Sequence, residues 1–237
     1  MKALILAAGF GTRLGDLTLT TPKALVKVGH AAILDHNIRK LLEVGISEIL
    51  VNTHYFSEKI ESFLADQHYR MFVSTIYEPE LLGTAGTIKA NWERFDGDDF
   101  LVMHGDNYFE DNLISLLSAH VHRTKGTVVT MATFDSDSPE SCGTIITNRN
   151  EVVVKFFEKD RHSPSLRANA AIYVFSSATK SHFLGLPPLE NDISNHVIPK
   201  LLGKIQAHYL LGDFIDIGTP TGLAKAELSY DRITKHI

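Results

Sequence analysis

Several things are scarce in this chain, and each shortage narrows what it can be. It holds one cysteine, Cys142, among 237 residues, so no internal disulfide is available and a reducing compartment is expected. No apolar run approaches the roughly 18 residues of a membrane span. Basic residues are not in excess: 23 Lys and Arg stand against 28 Asp and Glu, a formal net charge of −5. That balance argues against nucleic acid as the main partner, because gripping a phosphate backbone calls for a basic surface. Two familiar phosphate-binding strings are missing as well. The dinucleotide fingerprint G-x-G-x-x-G fails because Leu14 stands where its third glycine belongs, and no G-x-x-x-x-G-K-[ST] string occurs. None of the 12 histidines forms H-E-x-x-H, and His120 and His122 are too close in sequence to share a helix face.

The residues that are present read as a globular α/β chain. Lys2 to Ala8 is a continuous apolar run, expected as a strand covered on both faces rather than a signal peptide. A cytoplasmic location is the corresponding expectation. Gly9 to Val28 has no period and is rich in Gly, Thr and Pro, so a long loop is predicted, and long loops in compact domains are usually functional. Ile33, Leu34, Ile38, Leu41 and Leu42 recur at helical spacing, and Gly45 closes that helix. Further strands are predicted at 48–52, 71–77 and 99–104, with helices near Ile60 to Leu64, at 84–92 and around Leu113 to Leu117. This alternation predicts a mixed, mostly parallel sheet flanked by helices, with ligands gathering at the carboxyl ends of the strands.

The second half is less regular. Strands are expected at 127–133, 169–175, 205–210 and 214–217, and a hairpin at 144–157 around Arg149-Asn150. Asp192 is expected to cap a helix running to Leu202. Pro220 is expected to start a final helix.

The loop after the first strand carries the most chemistry. Gly9 and Gly11 flank Phe10 and let backbone N–H groups approach a triphosphate. Thr12 adds a hydroxyl. Arg13 and Lys23 supply the fixed positive charge that a phosphoryl-transfer site needs on its leaving group.

The run Leu6-Ala7-Ala8-Gly9-Phe10-Gly11-Thr12-Arg13-Leu14, then Leu17-Thr18 and Thr21-Pro22-Lys23-Ala24-Leu25, resembles the signature of the sugar-1-phosphate nucleotidyltransferases. The resemblance continues in Gly83-Thr84-Ala85-Gly86, Gly105-Asp106, Glu158-Lys159, Asn169 and Phe214 to Pro220. It implies a single Rossmann-like nucleotidyltransferase domain over 1–237, with a nucleotide-binding half at 1–125 and a sugar-binding half at 126–237. It implies attack of a sugar 1-phosphate oxygen on the α-phosphorus of a nucleoside triphosphate, with pyrophosphate leaving. The partners are then a nucleoside triphosphate and a sugar 1-phosphate. The same resemblance assigns Arg13 and Lys23 to catalysis and Leu6, Ala8, Gly9, Gly11, Thr12, Arg13, Glu78, Gly83 and Thr84 to the nucleotide. Lys23, Gly143, Glu158, Lys159 and Asn169 fall to the sugar phosphate, and Asp106 and Asp216 to the metal. Mg²⁺ is the expected ion, since it takes one or two carboxylates together with phosphate oxygens and water. Relatives often have Gly two positions after Asn169, where this chain has Ala171. Those acting on mannose often carry C-terminal left-handed β-helix repeats, for which this chain is too short.

Glu78 bears on the base. Relatives that handle thymine or uracil commonly carry Gln five positions before the Gly of Gly83, whereas this chain has Glu. A carboxylate only accepts hydrogen bonds, which suits the N1–H and 2-amino donors of guanine and repels the flanking carbonyls of uracil. GTP is therefore expected, with mannose or heptose 1-phosphate as the sugar. A uridylyl- or thymidylyltransferase, a transferase for a non-sugar phosphate and a non-catalytic binding module remain as alternatives. Cys142 has no activating partner in sequence and is expected to be structural or incidental.

Overall fold

The computed structural model describes residues 1–95 and 97–235. The opening apolar run forms strand β1 (Lys2–Leu6), with Ala3, Leu4 and Ile5 fully buried. Helix α1 (Leu17–Thr20) and the short strands β2 (Lys27–Val28) and β3 (Ala31–Ala32) come next. The stretch expected as plain loop is thus a chain of turns. Its anchors, Leu14, Val26 and Val28, are spaced too unevenly to show a period, yet all three are buried.

Helix α2 (Ile33–Glu43) buries Ile33, Leu34, Ile38 and Leu41 of the stripe its spacing predicts and leaves Leu42 half-buried, and Gly45 turns the chain at a positive φ of 79°. Strand β4 (Ile49–Thr53), helix α3 (Ser57–Ala65), strand β5 (Val73–Tyr77), helix α4 (Thr84–Ala90) and strand β6 (Phe100–His104) continue the alternation. Then come β7 (Asn107–Phe109), α5 (Ile114–Val121), β8 (Val129–Asp135) and the hairpin β9 (Gly143–Thr147) and β10 (Val153–Glu158). Strand β11 (Arg167–Phe175), α6 (Lys180–Leu184), β12 (Ile205–Tyr209), β13 (Phe214–Asp216) and α7 (Pro220–Thr234) complete the chain. The class is α/β, a mixed sheet with flanking helices, as the alternation predicted.

One expected helix differs. Asp192 does cap, its Oδ1 accepting the Asn195 N–H at 2.8 Å. Beyond that cap the chain makes a single π turn at Ile193–Val197 and a 3₁₀ turn at Ile198–Leu201. Pro199 is the cause: it has no N–H to offer the carbonyl four residues back, and its ring crowds that carbonyl.

Two compact units divide the chain, and each is assembled from separated segments. One comprises residues 1–2, 82–102 and 113–211; the other comprises 3–81, 103–112 and 212–237. In the first, β11 runs antiparallel to β8 and β9, β10 runs antiparallel to β9, and β12 runs parallel to β8. Its core stacks Phe95, Phe100 and Phe175, with Trp92 and Phe183 packed against them. In the second, β4 runs parallel to both β1 and β5. There Leu14, Val26, Val28, Ile33, Tyr108, Ile217 and Ala226 share one hydrophobic cluster. Burying a leucine such as Leu14 contributes about 2 kcal/mol, enough to pin the loop that carries it. Among the described residues no helix is long and apolar enough to cross a membrane.

Candidate active site

Strand β1 delivers the chain into the glycine loop, and the Gly105 N–H donates to the Leu6 carbonyl at 2.9 Å. Ala8 is buried, while Gly9, Phe10, Thr12 and Arg13 are exposed. Gly11 has φ +68°, and a Cβ there would meet the Lys23 Cβ at 2.9 Å. Both the handedness and the close approach therefore require glycine. Thr12 to Leu14 make one 3₁₀ turn, with Leu14 directed into the hydrophobic cluster below. The Thr18 hydroxyl, which sequence reading left unassigned, donates toward the Gly11 and Gly15 carbonyls at 3.0 and 3.1 Å and braces the turn.

Beneath the loop lies a compact charge cluster. Pro22, at φ −60°, leads into the turn Lys23–Leu25, and the Lys23 side chain is only 10% exposed. Its ammonium donates to Asp106 Oδ2 and lies 3.4 Å from Asp216 Oδ1. Arg13 approaches the other oxygen of Asp216 at 3.5 Å from the exposed side. The two aspartates are brought side by side by strand pairing: β13 runs antiparallel to β7 with Asp216 opposite Asn107, and the Ile217 N–H donates to the Asp106 carbonyl at 3.1 Å. The Gly218 N–H adds a 2.7 Å bond to Asp216 Oδ1. Burial disfavours charge on Asp106, but Lys23 and His104 outweigh it and hold the carboxyl below the usual aspartate range.

Asp106 and Asp216 fit a hard divalent cation. They are oxygen donors already gathered around one positive charge, that of Lys23. Among the described residues no group of three or more His, Cys, Asp or Glu could hold a metal, so other ligands would have to be phosphate oxygens and water, as Mg²⁺ prefers. The buried His120 is accounted for structurally: its ring contacts Thr130 at 2.9 Å and Asp99 at 3.0 Å, and burial lowers its pKa.

Glu78 lies just past the end of β5 and is buried at 2% exposure. Its Oε1 accepts from Asn52 Nδ2 at 2.9 Å, and Asn52 in turn accepts the Ala7 N–H at 2.7 Å. Sequence reading missed Asn52, because a lone asparagine at a strand end has no spacing signature. Gly83 and Thr84 open α4, where the Asn191 carbonyl accepts the Ala85 and Gly86 N–H groups at 2.8 and 3.2 Å. The Thr84 hydroxyl donates to Asp192 Oδ2 at 3.2 Å and accepts the Ile193 N–H at 2.8 Å.

Gly143, Glu158 and Lys159 meet at one end of the β9–β10 hairpin, with Glu158 directly opposite Gly143. A Cβ on Gly143 would lie 2.6 Å from Glu158 Oε2 and 2.5 Å from the Phe156 ring, so this close approach again requires glycine. Burial pushes the Glu158 carboxyl upward, Asp192 adds to the shift, and Lys159 opposes it. Asn169 lies on β11 beside Ala168, which pairs with Thr144. Its Nδ2 donates to the Tyr173 hydroxyl at 2.6 Å, and its Oδ1 accepts the Ala171 N–H at 2.9 Å. Cys142 is partly buried, with Ser136 and Ser141 hydroxyls 3.5 Å from its sulfur.

The family model described as "Nucleotidyl transferase" matches residues 2–232, nearly the whole chain. The chain belongs to the nucleotidyl transferase family. It is 32% identical over 228 residues to "Probable mannose-1-phosphate guanylyltransferase 1" of Oryza sativa subsp. japonica, covering 93% of this chain and 62% of that protein. The chain thus spans about three fifths of that relative's length. A solved "Putative Glucose-1-Phosphate Thymidylyltransferase from Bacillus anthracis", in complex with a sucrose, superimposes with a TM-score of 0.87 at 25% identity, covering 98% of this chain and 96% of that one. HddC from Yersinia pseudotuberculosis, complexed with GMP-PN, shares the fold at TM-score 0.79 and 24% identity, with 97% and 99% covered.

Within this nucleotidyl transferase one departure acquires a physical meaning. Ala171 sits at φ +51°, in the left-handed region, where the register of β11 against β8 shifts between Asn169 and Tyr173. A glycine at that place would carry no such strain, whereas Ala171 retains it.

Proposed function

We propose that the chain transfers a guanylyl group from GTP to a sugar 1-phosphate, mannose first and heptose second, and releases pyrophosphate. The observation that carries the reading is the convergence of Lys23, Asp106 and Asp216 beside the Gly9–Gly11 loop, with Arg13 reaching Asp216 from the exposed side. Residues 1–237 act in this reading as one nucleotidyltransferase domain.

The sugar phosphate is already ionised at neutral pH, so its oxygen attacks the α-phosphorus without a general base. Catalysis then reduces to alignment and charge neutralisation. The loop N–H groups from Ala8 to Thr12, with the Thr12 hydroxyl, hold the triphosphate, and Leu6 lies under the nucleoside. Arg13, exposed at the loop tip, meets the departing pyrophosphate. Lys23, shielded from water, lies near the reacting phosphorus and steadies the sugar phosphate, and low local dielectric strengthens its field. Asp106 and Asp216 hold Mg²⁺, which supplies Lewis-acid neutralisation of phosphate charge when bound. Gly143, Glu158, Lys159 and Asn169 are assigned to the sugar and its phosphate, and Glu78, Gly83 and Thr84 to the base. The guanylyltransferase relative and the acceptor-only carboxylate of Glu78 support GTP.

A second reading, transfer of a thymidylyl or uridylyl group, is favoured by the likeness to the Bacillus anthracis structure. A panel of sugar 1-phosphates against GTP, UTP, dTTP and CTP, scored by pyrophosphate release, separates the two. GTP with mannose or heptose 1-phosphate is expected to lead; a clear preference for UTP or dTTP overturns the guanylyl assignment.

A further inference from the structure

Lys23, Asp106 and Asp216 converge beside the glycine loop, Arg13 reaches them from the exposed side, and the four formal charges sum to zero. Lys23 Nζ donates to Asp106 Oδ2 and lies 3.4 Å from Asp216 Oδ1, so both carboxylates share one ammonium. Arg13 Nη2 lies 3.5 Å from the other oxygen, Asp216 Oδ2. Asp216 Oδ1 also accepts the Gly218 N–H at 2.7 Å. The gathering is tight. A Cβ on Gly218 would strike Lys23 Nζ and would lie 2.7 Å from Asp216 Oδ1 and 2.9 Å from Arg13 Nη2. The bare Cα is what lets the three charged tips close over one spot.

A divalent cation held by Asp106 and Asp216 needs oxygens of these same carboxylates, at about 2.1 Å. An ammonium already within reach of both stands against it as a like charge. The two aspartates, balanced by Lys23 and Arg13, have no surplus negative charge with which to attract it. Among the described residues no third His, Cys, Asp or Glu completes a metal-binding group with them. A triphosphate changes the balance. It offers the Arg13 fork and the Lys23 point charge a more negative partner, and it brings oxygens of its own for the cation. We propose that Lys23 and Arg13 are internal counterions that hold Asp106 and Asp216 until a nucleotide draws them off, so that a divalent cation does not load onto the protein alone and enters with the nucleotide. This inference rests on the metal and phosphate roles assigned to these four residues above. Lys23 then serves twice, first as counterion to the aspartates and afterwards as a ligand to phosphate.

The test is binding of Mn²⁺, which takes the same carboxylate and water ligands as Mg²⁺, followed by electron paramagnetic resonance with and without GTP or UTP. Without nucleotide, the dissociation constant for Mn²⁺ is expected to be about tenfold or more lower in Lys23→Met than in the wild type, because a positive charge beside a doubly charged ion has been removed. Adding Asp106→Asn to Lys23→Met is expected to cancel that gain. Arg13→Met is a second variant whose side chain is 64% exposed and supports no core. Its gain is expected to be about threefold, the scale of an exposed ion pair. Mn²⁺ alone should also raise the thermal midpoint of Lys23→Met and leave that of the wild type unmoved at the same concentration. A merely structural role for Lys23 lowers the midpoint without changing the affinity. With nucleotide, the wild type itself is expected to bind Mn²⁺, with a spectrum distinct from that of Mn²⁺ and nucleotide in solution. Wild-type affinity equal to that of both variants overturns the counterion role, and leaves the metal assignment standing if Asp106→Asn abolishes that binding. A gain in Lys23→Met that survives Asp106→Asn overturns the metal assignment and this inference with it. So does the lack of any protein-bound Mn²⁺ in the wild type with either nucleotide.

Discussion

Lys23 serves two carboxylates with one ammonium, and the two differ in exposure. Asp106 is the more enclosed, with a side chain 26% exposed against 46% for Asp216. Asp106→Asn keeps an oxygen for Lys23 but removes the charge that a divalent cation requires. Turnover is expected to fall about 100-fold or more, the scale of losing one electrostatic contact in a phosphoryl-transfer site. The thermal midpoint should move little by comparison. Near-wild-type turnover at saturating nucleotide and limiting Mg²⁺ refutes the metal-binding role. Glu158 carries the pH signature. Its folded pKa is raised by burial, so the folded state holds the proton more tightly than the unfolded chain. Its contribution to stability is therefore fully present below the unfolded glutamate value and is lost as pH rises through the folded one. Thermal midpoints of wild type and Glu158→Gln, compared across that window, should show the wild type losing ground as pH rises. A constant difference between them contradicts the shift. At this scale the glycine loop was legible because its chemistry lies in one contiguous string. Asn52 was not, because its partners are 45 and 26 residues away.

Among the elements, β11 holds the clearest stored strain. Ala171 adopts φ +51° at the register shift against β8, a conformation that costs an L-residue roughly 1–2 kcal/mol. Glycine there relieves the strain but adds freedom to the unfolded chain, so Ala171→Gly is expected to stabilise by a net of about 0.5–1 kcal/mol. Urea unfolding with an unchanged slope and a higher midpoint confirms this; a lower midpoint contradicts it. The periodic elements, α2 above all, were readable from apolar spacing alone. The three-residue strands β7 and β13 were harder: β7 was not foreseen, and neither is long enough to show a period. Yet their pairing is what sets Asp216 beside Asp106. Pro199 was visible in the sequence, but the π turn that accommodates it was not, because capping by Asp192 suits either geometry.

Across the whole molecule, residues 212–237 fold with 3–81 and 103–112, an association that no local pattern announces. It lets Ile217 and Ala226 share a cluster with Leu14 and Val26, so the glycine loop and Asp216 rest on common apolar ground. Because Lys23 and Arg13 already pair with Asp106 and Asp216 inside this framework, the fold is expected not to depend on a divalent cation. Chelation is expected to abolish turnover while leaving the thermal midpoint and circular dichroism unchanged, and adding Mg²⁺ back should restore activity. Unfolding on chelation contradicts that separation of fold from chemistry.

Guanylyl transfer stands or falls on the α-phosphorus being the reacting atom, and the fate of a label placed there decides it. GTP labelled at the α-phosphate is incubated with mannose 1-phosphate and Mg²⁺, and the products are separated. Attack at that atom puts the label in a GDP-linked sugar, matched mole for mole by unlabelled pyrophosphate. Label appearing in GDP with release of inorganic phosphate, or remaining in GTP with every sugar 1-phosphate offered, contradicts it.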